Sequence, residues 1–302
     1  MQLLYKIFYF PLFNLIIRSI LRPFRSSLSS KYKIPINGII SVKADNNKKI
    51  YFVANETCTM AKTLYWEDHG CTFEFSNIFK ELAKSSRTFL DIGSNVGYYS
   101  MLGKTINPNL NVFAFEPSKG PRYFFKENIK KNKLHTITFI EKALSDSDGE
   151  IDFYEERNQK FLYREYHASG IGNTTNTWGI DNFKKYKVES TTLNSFIEQN
   201  NITDIDLIKI DTEGTEDKIF NGGLDQIIKN QPIIICEVLE GKIEDEIQDI
   251  IANKLQYKIF QFQSKTNKLK EITRIKDENH NHESNYFFVP ISKLHLIQTF
   301  IS

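Results

Sequence analysis

Apolar and polar positions fall into three regimes along the chain. Residues 1–24, MQLLYKIFYFPLFNLIIRSILRPF, are the most apolar stretch, but Lys6, Pro11, Asn14 and Arg18 interrupt it and the longest charge-free run covers only residues 7–17. That run is too short to cross a bilayer. It lacks a small-residue cleavage site of the A-x-A kind, and the SSLSS that follows reads as a linker, so retention is expected over secretion. The segment is expected to lie as an aromatic, basic helix on a membrane face, or to pack on the body or a partner subunit. Within residues 36–76, the alternating runs GIISVKA and KIYFVAN flank a turn-prone DNNKK and predict a hairpin. From about residue 77, β-branched or aromatic runs alternate with helical ones: TFLDIG, NVFAFEP, TITFIEKAL, DLIKIDTEG, PIIICEVLE, YKIFQF and NYFFVP. That alternation predicts an α/β architecture, a mostly parallel sheet with helices on both faces. In GKIEDEIQDIIANKL, Ile243, Ile247, Ile250 and Ile251 form one helical stripe. The last two runs are joined by a polar segment carrying His280 and His282, which predicts an antiparallel pair closing one sheet edge.

Composition acts mainly by exclusion. With 302 residues, 40% hydrophobic and 25% charged, the chain has enough apolar material for a core, and wholesale disorder or a polytopic membrane protein is excluded. The division expected is an N-terminal extension over 1–75 and one enlarged domain over 76–302. Net charge is +2 with basic residues scattered, so nothing calls for a nucleic-acid partner. Cys58, Cys71 and Cys236 are odd in number and never spaced C-x-x-C, which points away from a disulfide framework and toward a reducing, cytoplasmic setting.

The chemistry starts at FLDIGSNVGYYSMLGKT, where an apolar strand meets Asp91, Gly93, Asn95 and Gly97 before a helix. A helix amino terminus offers unpaired N–H groups to an anion, and glycine lets a ligand approach the backbone. A dinucleotide fingerprint from Gly93 would need glycine where Asn95 and Tyr98 stand, and a Walker loop is missed by one residue of spacing between Gly97 and Gly103. Asp91, Gly93 and Gly97 instead match the D-x-G-x-x-x-G loop of S-adenosylmethionine-dependent methyltransferases. The loop amides suit a methionine carboxylate, and Asp91 suits the ammonium, directly or through water. A tight turn without a ligand is the plainer alternative. Glu116 ends the next strand, where a carboxylate can accept both ribose hydroxyls; a helix-start acid is the other reading. After the third strand, backbone at Ala143 or Leu144 can meet an adenine edge and Asp146 its amine, unless SDSDG is only a turn.

Together FLDIGSNVGYYS, FAFEPS, KALSDSDGEIDFY, VESTTLNSFI, DLIKIDTEGTE and IIICEV resemble the FkbM-type methyltransferase family over roughly residues 75–290. The resemblance implies a class I methyltransferase fold, S-adenosylmethionine as donor, and transfer to a hydroxyl oxygen of a sugar or secondary metabolite. It places Asp91, Gly93, Asn95, Gly97 and Glu116 around the cofactor and makes Lys209, Asp211 and Glu213 the catalytic neighbourhood.

A sugar hydroxyl is a poor nucleophile at neutral pH, so a base or a metal should stand within reach. Strand periodicity sets Lys209 and Asp211 on one side, with Asp211 the preferred base, Lys209 holding an acceptor oxygen or stabilising developing negative charge, and Glu213 orienting either residue. A buried Lys209–Asp211 salt bridge is the structural alternative. Asp211, Glu213 and Glu237 together would suit a divalent ion, although no metal is expected. His167, within the glycine-containing YREYHASGIGN insertion, is an alternative base. The expected enzyme is an O-methyltransferase acting on a glycan, glycolipid or other polyhydroxylated acceptor. Its rivals are a nicotinamide-dependent oxidoreductase and a noncatalytic adenosyl-binding module.

Overall fold

The computed structural model describes residues 2–67, 73–168, 183–239, 241, 243–275 and 283–302. Thirteen strands are defined within them: β1 (Gly38–Lys43), β2 (Lys49–Ala54), β3 (Thr88–Ile92), β4 (Asn111–Phe115), β5 (Ile137–Ile140), β6 (Ala143–Leu144), β7 (Gly149–Glu156), β8 (Phe183–Thr191), β9 (Leu207–Ile210), β10 (Ile233–Glu237), β11 (Lys258–Gln263), β12 (Lys268–Ile272) and β13 (Asn285–Val289). Eight of them form one sheet in the order β12-β11-β13-β10-β9-β3-β4-β5. β5, β4, β3, β9 and β10 run parallel to their neighbours, and β13 inserts antiparallel between β10 and β11.

Parallel strands are buried on both faces, and every residue of β3 and β9 is buried. Alternate residues divide into two apolar clusters. Phe89, Leu207, Ile235 and Phe287 face one layer, with the helices Ser76–Ser85, Tyr98–Ile106 and Lys119–Asn132. Leu90, Ile208, Ile210 and Ile234 face the other, with the helices Leu193–Gln199, Glu216–Asn230 and Glu244–Asp249. The isoleucine stripe 243, 247, 250, 251 is buried in that second layer.

The antiparallel pairing of the last two runs is present, as β11 with β13, but the sheet edge is elsewhere. That edge is β12, which the hydrophobic pattern does not announce: KLKEI buries Leu269 and carries charge around it, as edge strands do to discourage further pairing.

The 36–76 hairpin forms as β1 and β2. It shares the first apolar cluster with the sheet through Ile40, Val42, Ile50 and Phe52. Its open edge is satisfied by side chains of the helix Lys119–Asn132. Val53 N–H donates to Asn128 Oδ1 at 2.7 Å and Tyr51 N–H to Asn132 Oδ1 at 2.8 Å. β6, β8 and β7 make a separate three-stranded sheet beside the carboxyl ends of the parallel strands. Residues 2–24 form two short helices, Gln2–Phe8 and Pro11–Leu21, and a 3₁₀ turn, Arg22–Phe24. No described helix is long and apolar enough to cross a membrane. Cys58 and Cys236 are buried free thiols, whereas Cys71, His280 and His282 lie outside the described residues.

Candidate active site

The carboxyl ends of β3, β4, β9 and the short β6 converge on a cleft of about 780 Å³, open to solvent on one side. Open parallel sheets place ligands at this end. Gly93, Asn95, Glu116, Ala143, Leu144, Asp211 and Glu213 line it, with Phe115 and the β7 residues Ile151 and Phe153 adding an apolar wall.

The turn after β3 is built differently from the expectation. Its amides face inward: Gly93 and Ser94 N–H donate to Phe115 O (3.1 and 2.9 Å), Asn95 N–H to Glu116 Oε2 (2.9 Å) and Gly97 N–H to Ser94 O (2.8 Å). The first three tie the turn to the end of β4 and the fourth closes the turn on itself, so none of these four is presented to an anion. The glycines also answer to packing first. A Cβ on Gly93 (φ +71°) would stand 1.9 Å from Asp211 O, and one on Gly97 (φ +88°) 2.1 Å from the Phe125 ring.

What the turn offers a ligand is acceptors. Asn95 Oδ1 and Asp91 Oδ1 are buried without a hydrogen-bond partner. Asp91 is not on the cleft lining; its Oδ2 accepts from Ser100 N–H (3.0 Å) and Ser100 Oγ–H (2.6 Å). Glu116 receives Asn95 N–H on one oxygen and Ser118 N–H (2.8 Å) on the other, so its carboxylate is fixed in orientation on the wall. Burial pushes its pKa up to about 7 against those two bonds. This set of acceptors beside an apolar slot fits S-adenosylmethionine, which presents an ammonium and a ribose diol as donors and adenine as the flat apolar part. Glu116 and Asn95 would hold the polar end, and Phe115, Ala143 and Leu144 the base. Asp146 does not join them: it is exposed, off the lining, and accepts from Ser145 and Ser147 hydroxyls, while Ser145 takes the wall position.

On β9, Lys209 and Asp211 share one side and Ile208 and Ile210 the other, as period two requires. Lys209 is 5% exposed and donates from Nζ to Asp211 Oδ2 at 2.9 Å. Burial opposes its charge, but Asp211, Asp91 and Glu74 outweigh that and hold its pKa above the ordinary value. Lys209 is therefore an ammonium and not a base. Asp91 sits directly across from it in register, and the Tyr99 ring lies 5.6 Å from Nζ. The salt bridge is formed, and the Asp211 side chain nevertheless stays 38% exposed on the cleft.

Asp211, Glu213 and Glu237 bring carboxylate oxygens within 4.8 Å of one another. Burial and the negative charges of Asp211 and Glu213 push Glu237 up to about 9. Glu213 adopts φ +63° in the turn that follows β9. That turn is held by Glu216, fully buried, whose carboxylate accepts from Thr212 N–H (2.8 Å), Thr212 Oγ–H (2.9 Å) and Gly214 N–H (3.1 Å). Sequence reading passes over Glu216, although an acid in the first turn of the helix Glu216–Asn230 is its local signal. It also passes over Glu74, which accepts from Tyr99 Oη at 2.9 Å and lies far from the motif in sequence.

His167 belongs to neither wall. Its side chain is fully buried, Asn158 N–H donates to its Nδ1 at 3.1 Å, and burial with Arg157 nearby lowers its pKa. Its backbone rests on Gly120, where a Cβ would meet His167 O at 1.8 Å. The residue packs its own described segment against the body, and it is not an alternative base because no acceptor can reach the buried ring; residues 169–173 of the insertion lie outside the described residues.

Comparison with known proteins supplies independent findings. Residues 91–262 match the family described as Methyltransferase FkbM domain. The 2-O-methyltransferase NoeI of Sinorhizobium fredii is 27% identical over 171 residues, 54% of this chain and 69% of that protein. Among solved structures, a methyltransferase FkbM from Methylobacillus flagellatus is 12% identical with a TM-score of 0.42, covering 78% of this chain and 55% of its own. Precorrin-6y C5,15-methyltransferase from Geobacter metallireducens is also 12% identical, with a TM-score of 0.38, covering 74% and 86%.

Proposed function

Because this chain belongs to the FkbM methyltransferase family, we propose that it methylates a hydroxyl oxygen of a sugar, a glycan or glycolipid, or a secondary metabolite. It is a class I methyltransferase by fold and depends on S-adenosylmethionine. That membership sets aside the nicotinamide reading. The observation that carries the oxygen assignment is the Lys209–Asp211 pair at the end of β9, with the Asp211 carboxylate open to the same cleft that Glu116 and Asn95 line. The name of the Sinorhizobium relative, a 2-O-methyltransferase, points to the same atom type.

Bound S-adenosylmethionine supplies a methyl group already activated by the sulfonium. The protein therefore has to align an acceptor, remove its proton and exclude water. Asp211 accepts the hydroxyl proton as the acceptor oxygen is alkylated. Lys209 keeps the Asp211 carboxylate in one orientation through Oδ2 and compensates negative charge developing beside it. The raised pKa of Glu237 favours its neutral form, which limits the crowding of negative charge around that base. Glu213 presents a further carboxylate to the acceptor from a turn that Glu216 holds in shape.

The test is transfer of labelled methyl from S-adenosylmethionine to a panel of glycosides and oligosaccharides, with calorimetry of donor binding alongside. Asp211→Asn should lower kcat by roughly 10²–10⁴, the range for a lost general base, while donor affinity stays within a few-fold. Wild-type rates in Asp211→Asn would remove the base assignment. Donor binding by the native protein with no transfer to any hydroxyl acceptor would favour the noncatalytic module.

A further inference from the structure

The second helix, Pro11–Leu21, is inside out for a protein bathed only in water. Its polar residues Asn14 and Arg18 are the buried ones, at 0% and 2% exposure. They pin the helix to the body: Asn14 Nδ2 donates to Pro35 O at 2.9 Å, Asn37 N–H donates to Asn14 Oδ1 at 2.9 Å, and Arg18 Nη2 donates to Ile39 O at 2.7 Å. The Arg18 guanidinium also lies 5.2 Å from the Tyr65 ring. Leu12, Phe13, Leu15, Ile16 and Ile20 cover the opposite face and are 46–63% exposed. Among the described residues, nine of the sixteen exposed large apolar side chains fall between Ile7 and Phe24, a concentration that scattered surface apolar residues do not produce.

Charge selects the occupant. Apart from the buried Arg18, residues 1–44 contain the basic residues Lys6, Arg22, Arg25, Lys31, Lys33 and Lys43 and no aspartate or glutamate, in a chain whose overall charge is only +2. An apolar face flanked by basic groups matches the anionic surface of a phospholipid bilayer, where acyl chains take the apolar side chains and headgroups take the cations. A second copy of the chain fits less well, because an isologous contact through this patch would set the same acid-free basic flank against itself. We propose that the face formed by residues 7–24 seats the protein on an anionic membrane surface, with Asn14 and Arg18 holding the helix in the orientation that turns its apolar side outward.

Flotation of the full chain with vesicles tests this directly. The protein should rise with phosphatidylcholine vesicles containing phosphatidylglycerol, less with phosphatidylcholine alone, and less again as salt is raised. Replacing Leu12→Ser, Phe13→Ser and Ile16→Ser together should abolish flotation while near-ultraviolet circular dichroism and melting temperature match the wild type, since these side chains are exposed. The double variant Lys6→Glu, Lys31→Glu should weaken partitioning by roughly 25-fold or more, about fivefold for each basic group lost near the surface. Natively folded protein remaining at the bottom of the gradient with anionic vesicles would overturn the proposal. So would flotation unaffected by the serine substitutions, or a dimer in sedimentation velocity that the same substitutions dissociate. Equal binding to both vesicle types would overturn the anionic assignment.

Discussion

Glu116 is a side chain that serves the architecture and, on the proposed reading, also the ribose of the donor. Its two oxygens already hold the amides of Asn95 and Ser118, which fixes the β3 turn against β4, and the residue lines the cleft. Burial sets its pKa at about 7, and a ribose diol donating to the carboxylate favours the ionised form. The sign follows: below about pH 7 the free protein carries a protonated Glu116 that must lose its proton to accept both hydroxyls, so donor affinity falls as pH falls. Calorimetry across pH 5.5–8.5 should show S-adenosylmethionine affinity rising by up to about tenfold per unit toward pH 7 and levelling above it. Glu116→Gln should bind more weakly and lose that slope. If wild type and Glu116→Gln share one pH profile, Glu116 is not the diol acceptor. The carboxylate was legible in the sequence from its place at a strand end, whereas the two amide bonds that orient it depend on the β3–β4 register.

At the scale of elements, the strand, turn and helix from Thr88 to Ile106 are specified twice, locally and by contact. The local signal is glycine at two left-handed positions, Gly93 and Gly97. The contact is the Phe125 ring from the helix Lys119–Asn132, fully buried, which fills the space a Cβ at residue 97 would need. Gly97→Ala should therefore destabilise by about 2–5 kcal/mol, combining left-handed strain with displacement of a packed ring. Denaturant unfolding measures it. Adding Phe125→Ala should recover the steric part, making the pair non-additive, whereas strict additivity would assign the whole effect to backbone strain. Sequence reading assigns these glycines to close approach of a ligand; the structure assigns them first to close approach of the protein's own parts. The motif was legible, but its physical cause required the helix that lies behind it. Likewise His167 reads from the sequence as an alternative base, and only the burial of its ring and the packing of its backbone on Gly120 show it to be a structural residue.

Across the whole molecule, the β1–β2 hairpin and the main sheet bury residues in a single apolar cluster. The Phe52 ring, 1% exposed, lies 6.0 Å from the Tyr98 ring at the start of the helix that follows the glycine turn. Shared burial of this kind couples unfolding, so the full chain should melt in one transition seen alike by near- and far-ultraviolet circular dichroism. Phe52→Ala should move that transition as a unit, by about 3–5 kcal/mol for a large cavity. A separate early transition confined to the hairpin would contradict the common core.

The sequence by itself determined the alternation of strands and helices, the glycine turn, the acid after β4 and the Lys209–Asp211 pair. Each is a local pattern whose period or spacing is set by backbone geometry. The family resemblance, read from those same motifs, is matched by the FkbM domain over residues 91–262. Tertiary structure alone decided which groups remain available. It consumed the amides of Gly93, Ser94, Asn95 and Gly97, left Asn95 Oδ1 and Asp91 Oδ1 without partners, kept Asp146 off the wall and buried His167. It also turned the apolar side of the second helix away from the body. Pattern records what a side chain is; burial and hydrogen-bond competition, settled by residues far apart in the chain, decide what it is free to do.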